Sequence, residues 1–214
     1  MGVQILNKDV SVVSTILGKA KANISSIWGA TGWSGGGGGP ATQGPFNPGS
    51  AANRGFGDDP WSNVNNIFTS DNTYATCPSS YPGNYMDYFQ AYNFGFSIPT
   101  GATIDGIEVK IEAKSTNAGE GFYEVFLWKG LYNDYTYGGS FGGIYANILL
   151  TTSDVIYTVG GPTNKWVSGG SNWSGQSITA EDINFSQFGV VIGGDPHTGT
   201  ISIDNITMKV YYTT

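Results

Sequence analysis

Between positions 107 and 114 the chain alternates strictly: Ile107, Val109, Ile111 and Ala113 are apolar, while Glu108, Lys110, Glu112 and Lys114 are charged. A period of two with a single apolar row is the pattern of an antiparallel strand with one face on a core and the other in water. Residues 122–128 read as its neighbour, apolar on both faces, with Lys129 and Gly130 turning the chain after it. Residues 188–192 read as a short buried strand closed by Gly193 and Gly194. In the last run, residues 201–212, Ile206, Met208, Val210 and Tyr212 point inward. Ile201 and Ile203 are out of phase with them, which predicts a bulge near Asp204 and Asn205. Further strands are expected at residues 94–98, 144–150 and 154–159. Many short strands, separated by Gly, Pro and Asn turns and without a long helical period, predict an all-β fold. The expected form is an antiparallel, jelly-roll-like β-sandwich, with a closed barrel as the structural alternative.

The pattern divides the chain into three zones: an N-terminal segment at 1–33, a Gly/Pro/Asn-rich linker at 34–59 and the sandwich domain at 60–214. In the first zone Val13-Ser14-Thr15-Ile16-Leu17-Gly18 is echoed by Ile24-Ser25-Ser26-Ile27-Trp28-Gly29, an offset of 11 residues, close to three helical turns. On a helix capped by Asp9, Val10, Val13, Ile16, Leu17, Ala20, Ile24, Ile27 and Trp28 would share one stripe. Gly18 and the Val/Ser/Thr/Ile content suit extended structure instead, so helical and extended forms both stay open, with the periodicity favouring the first. In either form the stripe has little of its own segment to pack against. It needs a partner surface, either on its own domain or on another subunit; as an assembly interface Val13, Ile16, Leu17, Ile24, Ile27 and Trp28 would bury apolar area at about 25 cal/mol per Å².

Composition narrows the classes. Charged residues are only 12%, glycine is 33 of 214, and aromatic residues at 14% are too many for a disordered chain. The net charge of -7, with the nine Lys and Arg scattered, lacks the cationic stripe that phosphate binding needs, so no nucleic-acid partner is expected. No apolar run approaches the roughly 20 residues of a membrane span, so no membrane insertion is expected. The start, Met1-Gly2-Val3-Gln4-Ile5-Leu6-Asn7, carries no secretory signal pattern. One cysteine, Cys77, excludes an internal disulfide and reads as a small buried residue.

Catalytic chemistry finds little footing. His197 is the only histidine and sits in a turn-like setting between two strands, so it serves neither a triad nor a multi-histidine metal site. The G-x-S-x-G pattern around Ser34 and Ser140 lies outside any strand-to-helix context and is a chance match in a Gly/Ser-rich chain. Glu108, Glu112, Glu120 and Glu124 could sit on paired strands, but glycoside hydrolysis needs two converging carboxylates, and Glu108 and Glu112 fall on the solvent face. Asp58-Asp59 and Asp71-Asn72 lie in turn-rich loops without a calcium-loop motif, and the glycine run at 35–39 lacks the Lys-Ser/Thr of a phosphate loop. The expectation is a chain that is not an enzyme, with no cofactor and no metal. Asn-x-Ser/Thr triplets at Asn23, Asn172, Asn184 and Asn205 match chance expectation and are not read as glycosylation.

Tyrosines are the stronger candidates for binding. Tyr81, Tyr85, Tyr88 and Tyr92 are interleaved with Pro82, Gly83, Asn84 and Asp87, a loop-like setting in which amphipathic rings stack on sugar faces or on a partner. Tyr132, Tyr135 and Tyr137, around Asn133 and Asp134, form a second cluster. They fit two readings, a carbohydrate- or receptor-binding surface and the cover of a sandwich edge or subunit interface.

The N-terminal repeat resembles short N-terminal segments of tailed-bacteriophage virion proteins. Phe94-Gly95-Phe96-Ser97-Ile98-Pro99, Ile104-Asp105-Gly106-Ile107-Glu108-Val109 and the ending Ile203-Asp204-Asn205-Ile206-Thr207-Met208-Lys209-Val210-Tyr211-Tyr212-Thr213 are similar to β-sandwich phage proteins. The resemblance implies a virion structural protein: a head decoration, a neck or tail part, or a fibre. It would dock by its N-terminal segment on other virion proteins and on copies of itself, and display the sandwich on the particle surface. A carbohydrate-binding module using the tyrosine-rich loops, with a host surface glycan as partner, is the alternative.

Overall fold

Ile107, Val109, Ile111 and Ala113 are fully buried and line one face of a strand of 13 residues, Thr103–Ser115, while Lys110 on the other face is exposed. The computed structural model describes residues 39–55, 57–78, 84–130, 140–144, 148–166, 177–195 and 198–214. The expected assembly stripe from Val13 to Trp28, together with Tyr81, Tyr132, Tyr135, Tyr137, Ser34 and His197, lies outside them. Along the described residues run β1 (Pro40–Phe46), β2 (Ser50–Asn53), a 3-10 turn (Val64–Phe68), β3 (Ala75–Pro78), β4 (Phe89–Tyr92), β5 (Thr103–Ser115) and β6 (Gly121–Trp128). They continue through β7 (Ser140–Ile144), β8 (Ile148–Leu149), β9 (Val155–Gly160), a helical turn α1 (Ala180–Ile183), β10 (Gly189–Asp195) and β11 (Thr200–Thr213).

Two antiparallel sheets form a β-sandwich. The first has the order β1-β11-β5-β9, with β3 pairing the opposite end of β11, and the second has the order β2-β4-β10-β6-β7, with β8 on β6. The first sheet contributes Ile107, Val109, Ile111, Ile201, Ile203, Ile206, Met208 and Val210 to the core; Phe89, Phe122, Val125, Leu127, Val190 and Ile192 face them from the second. The expected bulge is present: Ile203 pairs Ala113 and Asn205 pairs Glu112, leaving Asp204 as the extra residue. The insertion returns Ile206 to the phase of Ile203, so both halves of a 14-residue strand face the core.

Several expectations are corrected. The linker assigned to 34–59 contains β1 and β2; β1 pairs β11 from Pro40 with Thr213 onward, and β2 pairs β4 from Ser50 with Tyr92 onward. The sandwich unit therefore starts at Pro40 and not at 60. Gly, Pro and Asn content hid these strands because an edge strand needs hydrogen bonds on one side only. Residues 122–128 do not neighbour β5: they form β6 in the opposite sheet, and the neighbours of β5 are β11 and β9. Gly193 and Gly194 do not end β10, which runs through them to Asp195. The run at 144–150 is two strands, β7 ending at Ile144 and β8 at 148–149.

Residues 94–98 are not a strand, although Phe94, Phe96 and Ile98 are buried in alternation. Side-chain amides take the place of a neighbouring strand. Gln43 Nε2 donates to Ser97 O at 2.7 Å while its Oε1 accepts from Ser97 N at 2.9 Å. Asn184 does the same for Ile98, accepting from its N at 2.7 Å and donating to its O at 2.8 Å. Gly95 at φ +73° interrupts extended geometry within the run. The sequence reading also missed α1, whose capping box pairs the Thr179 side chain with Asp182 N and the Asp182 side chain with Thr179 N.

Candidate functional site

Alternation in β6 turns Val125 and Leu127 to the core, so Glu124, Phe126 and Trp128 stand on the outer face of the second sheet. In β10 the same rule places Val190 and Ile192 inward and Gly189, Val191 and Gly193 outward. Phe89 and Ala91 of β4 are core residues, so Tyr88, Gln90 and Tyr92 share that outer face. Register brings Gly193 opposite Glu124, and Ile192 opposite Phe89, so Tyr88, Gly193 and Glu124 fall in one row across three strands.

The row is closed by a hydrogen bond. The Tyr88 hydroxyl donates to Glu124 Oε2 at 2.8 Å, and its ring meets Phe126 edge-on with centroids 5.9 Å apart. To reach Glu124 the Tyr88 ring passes over β10, and an ideal Cβ at Gly193 would lie 2.5 Å from Tyr88 Cε1. Only glycine leaves that space. Beside this row lies a groove of about 170 Å³ lined by Tyr85, Met86, Tyr88, Tyr123, Glu124, Gly193 and Gly194. Tyr85 on its rim is 60% exposed, whereas Met86 beneath is buried.

The segment that carries Tyr85 is pinned by backbone bonds. Asp58 N and Asp59 N both donate to Tyr85 O, at 2.8 and 3.2 Å, and Met86 N donates to Gly194 O at 3.2 Å. The buried Asp87 carboxylate accepts from Asn53 Nδ2 at 2.7 Å and from Gly57 N at 2.8 Å, and Trp61 Nε1 donates to Asp87 O at 2.8 Å. With the backbone under the exposed ring already held, binding there has only the side chain left to order, which favours recognition.

Farther along the face the polar groups bond one another. Arg54 Nε donates to Gln90 Oε1 at 2.8 Å, Gln90 Nε2 donates to Gly130 O at 2.8 Å, and the Arg54 guanidinium lies 5.4 Å from the Tyr92 ring centroid. Gln90 and Trp128 are buried there, so this half of the face is covered. Among the described residues of this face, the groove is open.

Of the tyrosines singled out by sequence, Tyr85 and Tyr88 meet in the groove, and Tyr92 shares their face under Arg54. They belong to β4 and the residues just before it, not to a free loop. Glu124, weighed in the sequence as one of a carboxylate pair, is the one carboxylate lining the groove among the described residues. Glu108 and Glu112 lie on the outer face of the other sheet, and Glu120 is buried, accepting from Ser115 Oγ and from Thr198 N at 3.1 Å. Sequence reasoning missed Gly193, Tyr123 and Met86. The signal for Gly193 was present, since glycine inside a strand marks close approach of another group.

A larger cavity of about 420 Å³ lies between residues 100–104 and 177–181, with Lys165 and Glu181 at its wall. No aromatic ring lines it. Cys77, expected as a buried thiol, is fully buried; burial pushes it up to about 12, with the charges of Asp59 and Asp87 adding to the shift.

No protein-family model matches this chain, and no curated protein matches it. Among solved structures, the apo form of BiXyn10A CBM1 aligns with 75% of this chain and 89% of its own at 11% identity and a TM-score of 0.38. CBM29_1, a family 29 carbohydrate-binding module from Piromyces equi, aligns with 82% of this chain and 91% of its own at 12% identity and a TM-score of 0.32.

Proposed function

We propose that this chain binds carbohydrate, and that the groove beside Tyr88 and Glu124 receives the sugar. The observation that carries this reading is the row of Tyr88, Gly193 and Glu124, with the exposed Tyr85 ring at its edge. A pyranose has an apolar C–H face and a rim of hydroxyls. An aromatic ring offers the first a flat apolar surface and a carboxylate accepts hydrogen bonds from the second. At about 170 Å³ the groove is below the roughly 300–1,000 Å³ of a pocket that encloses a whole ligand, so it suits one ring of a longer chain lying open to solvent.

The test is affinity electrophoresis of the full chain in gels containing neutral polysaccharides. Retardation of the wild type, relieved in Tyr88→Ala and Tyr85→Ala variants that keep the wild-type circular dichroism, supports the reading. Unretarded migration in every gel overturns it.

Virion assembly through residues 1–33 is a separate proposal, carried by the apolar stripe from Val13 to Trp28 in the sequence. Its test is the presence of the chain, and the absence of a chain lacking those residues, in purified particles.

A further inference from the structure

Resting on the carbohydrate reading, we propose that the groove selects neutral sugars and excludes acidic ones, with Glu124 as the residue that determines this specificity. Glu124 Oε2 is occupied by the Tyr88 hydroxyl, and among the described residues nothing donates to Oε1. A carboxylate on the groove lining, with one oxygen committed to Tyr88 and no described donor on the other, has acceptor capacity left for hydroxyl groups. It meets a uronate, a sulfate ester or a sialic acid as a like charge.

Among the described residues no cation offsets it. The described basic side chains lie elsewhere: Arg54 is bonded to Gln90 over Tyr92, and Lys129 is paired with Asp182 at 2.5 Å. Lys110 and Lys114 pair with Glu108 and Asp154, Lys209 lies over Tyr211, and Lys165 lines the larger cavity. None of them lines the groove. The whole chain carries -7, so the long-range field adds to the local repulsion and also slows the approach of an anionic polymer. Specificity of this kind rests on a repulsive element as much as on the attractive one. The Tyr88 hydrogen bond matters here because it keeps the carboxylate at the groove and does not let it swing into solvent.

The experiment compares the full wild-type chain with Glu124→Gln, which keeps the shape and an acceptor for Tyr88. Each is run in gels of neutral polymers (galactomannan, laminarin, arabinoxylan) and of acidic ones (polygalacturonate, alginate, polysialic acid), at low and at high salt. The expected result is a preference of the wild type for a neutral polymer by about tenfold or more, narrowed in Glu124→Gln and narrowed by salt. Acidic polymers bound as well as neutral ones overturn the specificity and leave the groove standing as a sugar site. A preference unchanged in Glu124→Gln overturns the role of Glu124. Binding of neither class removes the carbohydrate reading itself, and this inference with it.

Discussion

Tyr88 reaches Glu124 by lying over Gly193: the hydroxyl stands 2.8 Å from Oε2, and the ring occupies the space where a side chain at 193 would begin, 2.5 Å from its Cε1. A methyl group there displaces the ring and breaks the link between two strands that are not neighbours. Gly193→Ala is expected to cost about 1–3 kcal/mol of stability, the range for overpacking a well-filled site. It is also expected to abolish polysaccharide retardation in gels where the wild type is held. Urea unfolding and affinity electrophoresis of the same sample read both; a variant that keeps its retardation shows that the Tyr88 position is not what the sugar uses.

Truncation reads the domain boundary. A chain beginning at Gly39 keeps β1, the strand that pairs with 208–213 of β11, and is expected to be the more stable of two truncations. A chain beginning at Ala51 loses β1 and bares that edge. It also loses the two-point bond between Gln43 and Ser97. The expected loss is several kcal/mol, at about 1 kcal/mol for each hydrogen bond removed, checked by thermal melts of the two truncations side by side.

Asp182 ties α1 to the end of β6. Burial alone would raise its carboxyl, but hydrogen bonds from the Lys129 ammonium and from the Thr179 N–H and hydroxyl, with the charge of Lys129, outweigh burial and hold it below the usual carboxylate range. A carboxylate depressed in the folded state contributes stability above its unfolded value of about 3.9, and that contribution is lost as pH falls through the lower folded value. Asp182→Asn is therefore expected to be about 1–2 kcal/mol less stable at neutral pH. Its gap to wild type closes as both are carried below about pH 4. Denaturant titrations across that range check it, and a gap that persists into strong acid contradicts it.

Cys77 gives an alkaline counterpart. Its thiol, pushed up to about 12 by burial, stays protonated in the folded chain while the unfolded chain loses that proton above about 8.5. Stability from this group is complete below about 8.5 and falls by about 1.4 kcal/mol per pH unit as pH rises toward the folded value. Comparing wild type with Cys77→Ala between neutral and alkaline pH isolates the slope. In the native chain at mildly alkaline pH the thiol is expected to resist a disulfide reagent that labels it fully in denaturant.

Legibility in the sequence followed the range of the interactions. β5 could be read because its alternation of Ile107 to Lys114 is a local consequence of having one core face and one wet face. The bulge in β11 could be read because the phase slip between Ile203 and Ile206 is written in consecutive residues. The strands at 40–46 and 50–53 were hidden because their composition is that of a turn; their partners, β11 and β4, lie far along the chain and supply the ladder that local propensity does not. The run at 94–98 misled for the converse reason, since alternating burial there is met by the side chains of Gln43 and Asn184 and not by a strand.

The sequence by itself determined that this chain is all-β with antiparallel strands, with a sandwich as the expected form, and which rows of residues enter its core; it offered the tyrosines of 81–92 and 132–135 as binding candidates without choosing among them. Periodicity and turn chemistry are short-range, so one dimension is enough to read them. Only the tertiary structure decided that β6 sits across the core from β5, and that Tyr88, Gly193 and Glu124, more than 100 positions apart at the extremes, form one row. That row depends on strand order and register, which are set by how two sheets share a core and not by any local pattern along the chain.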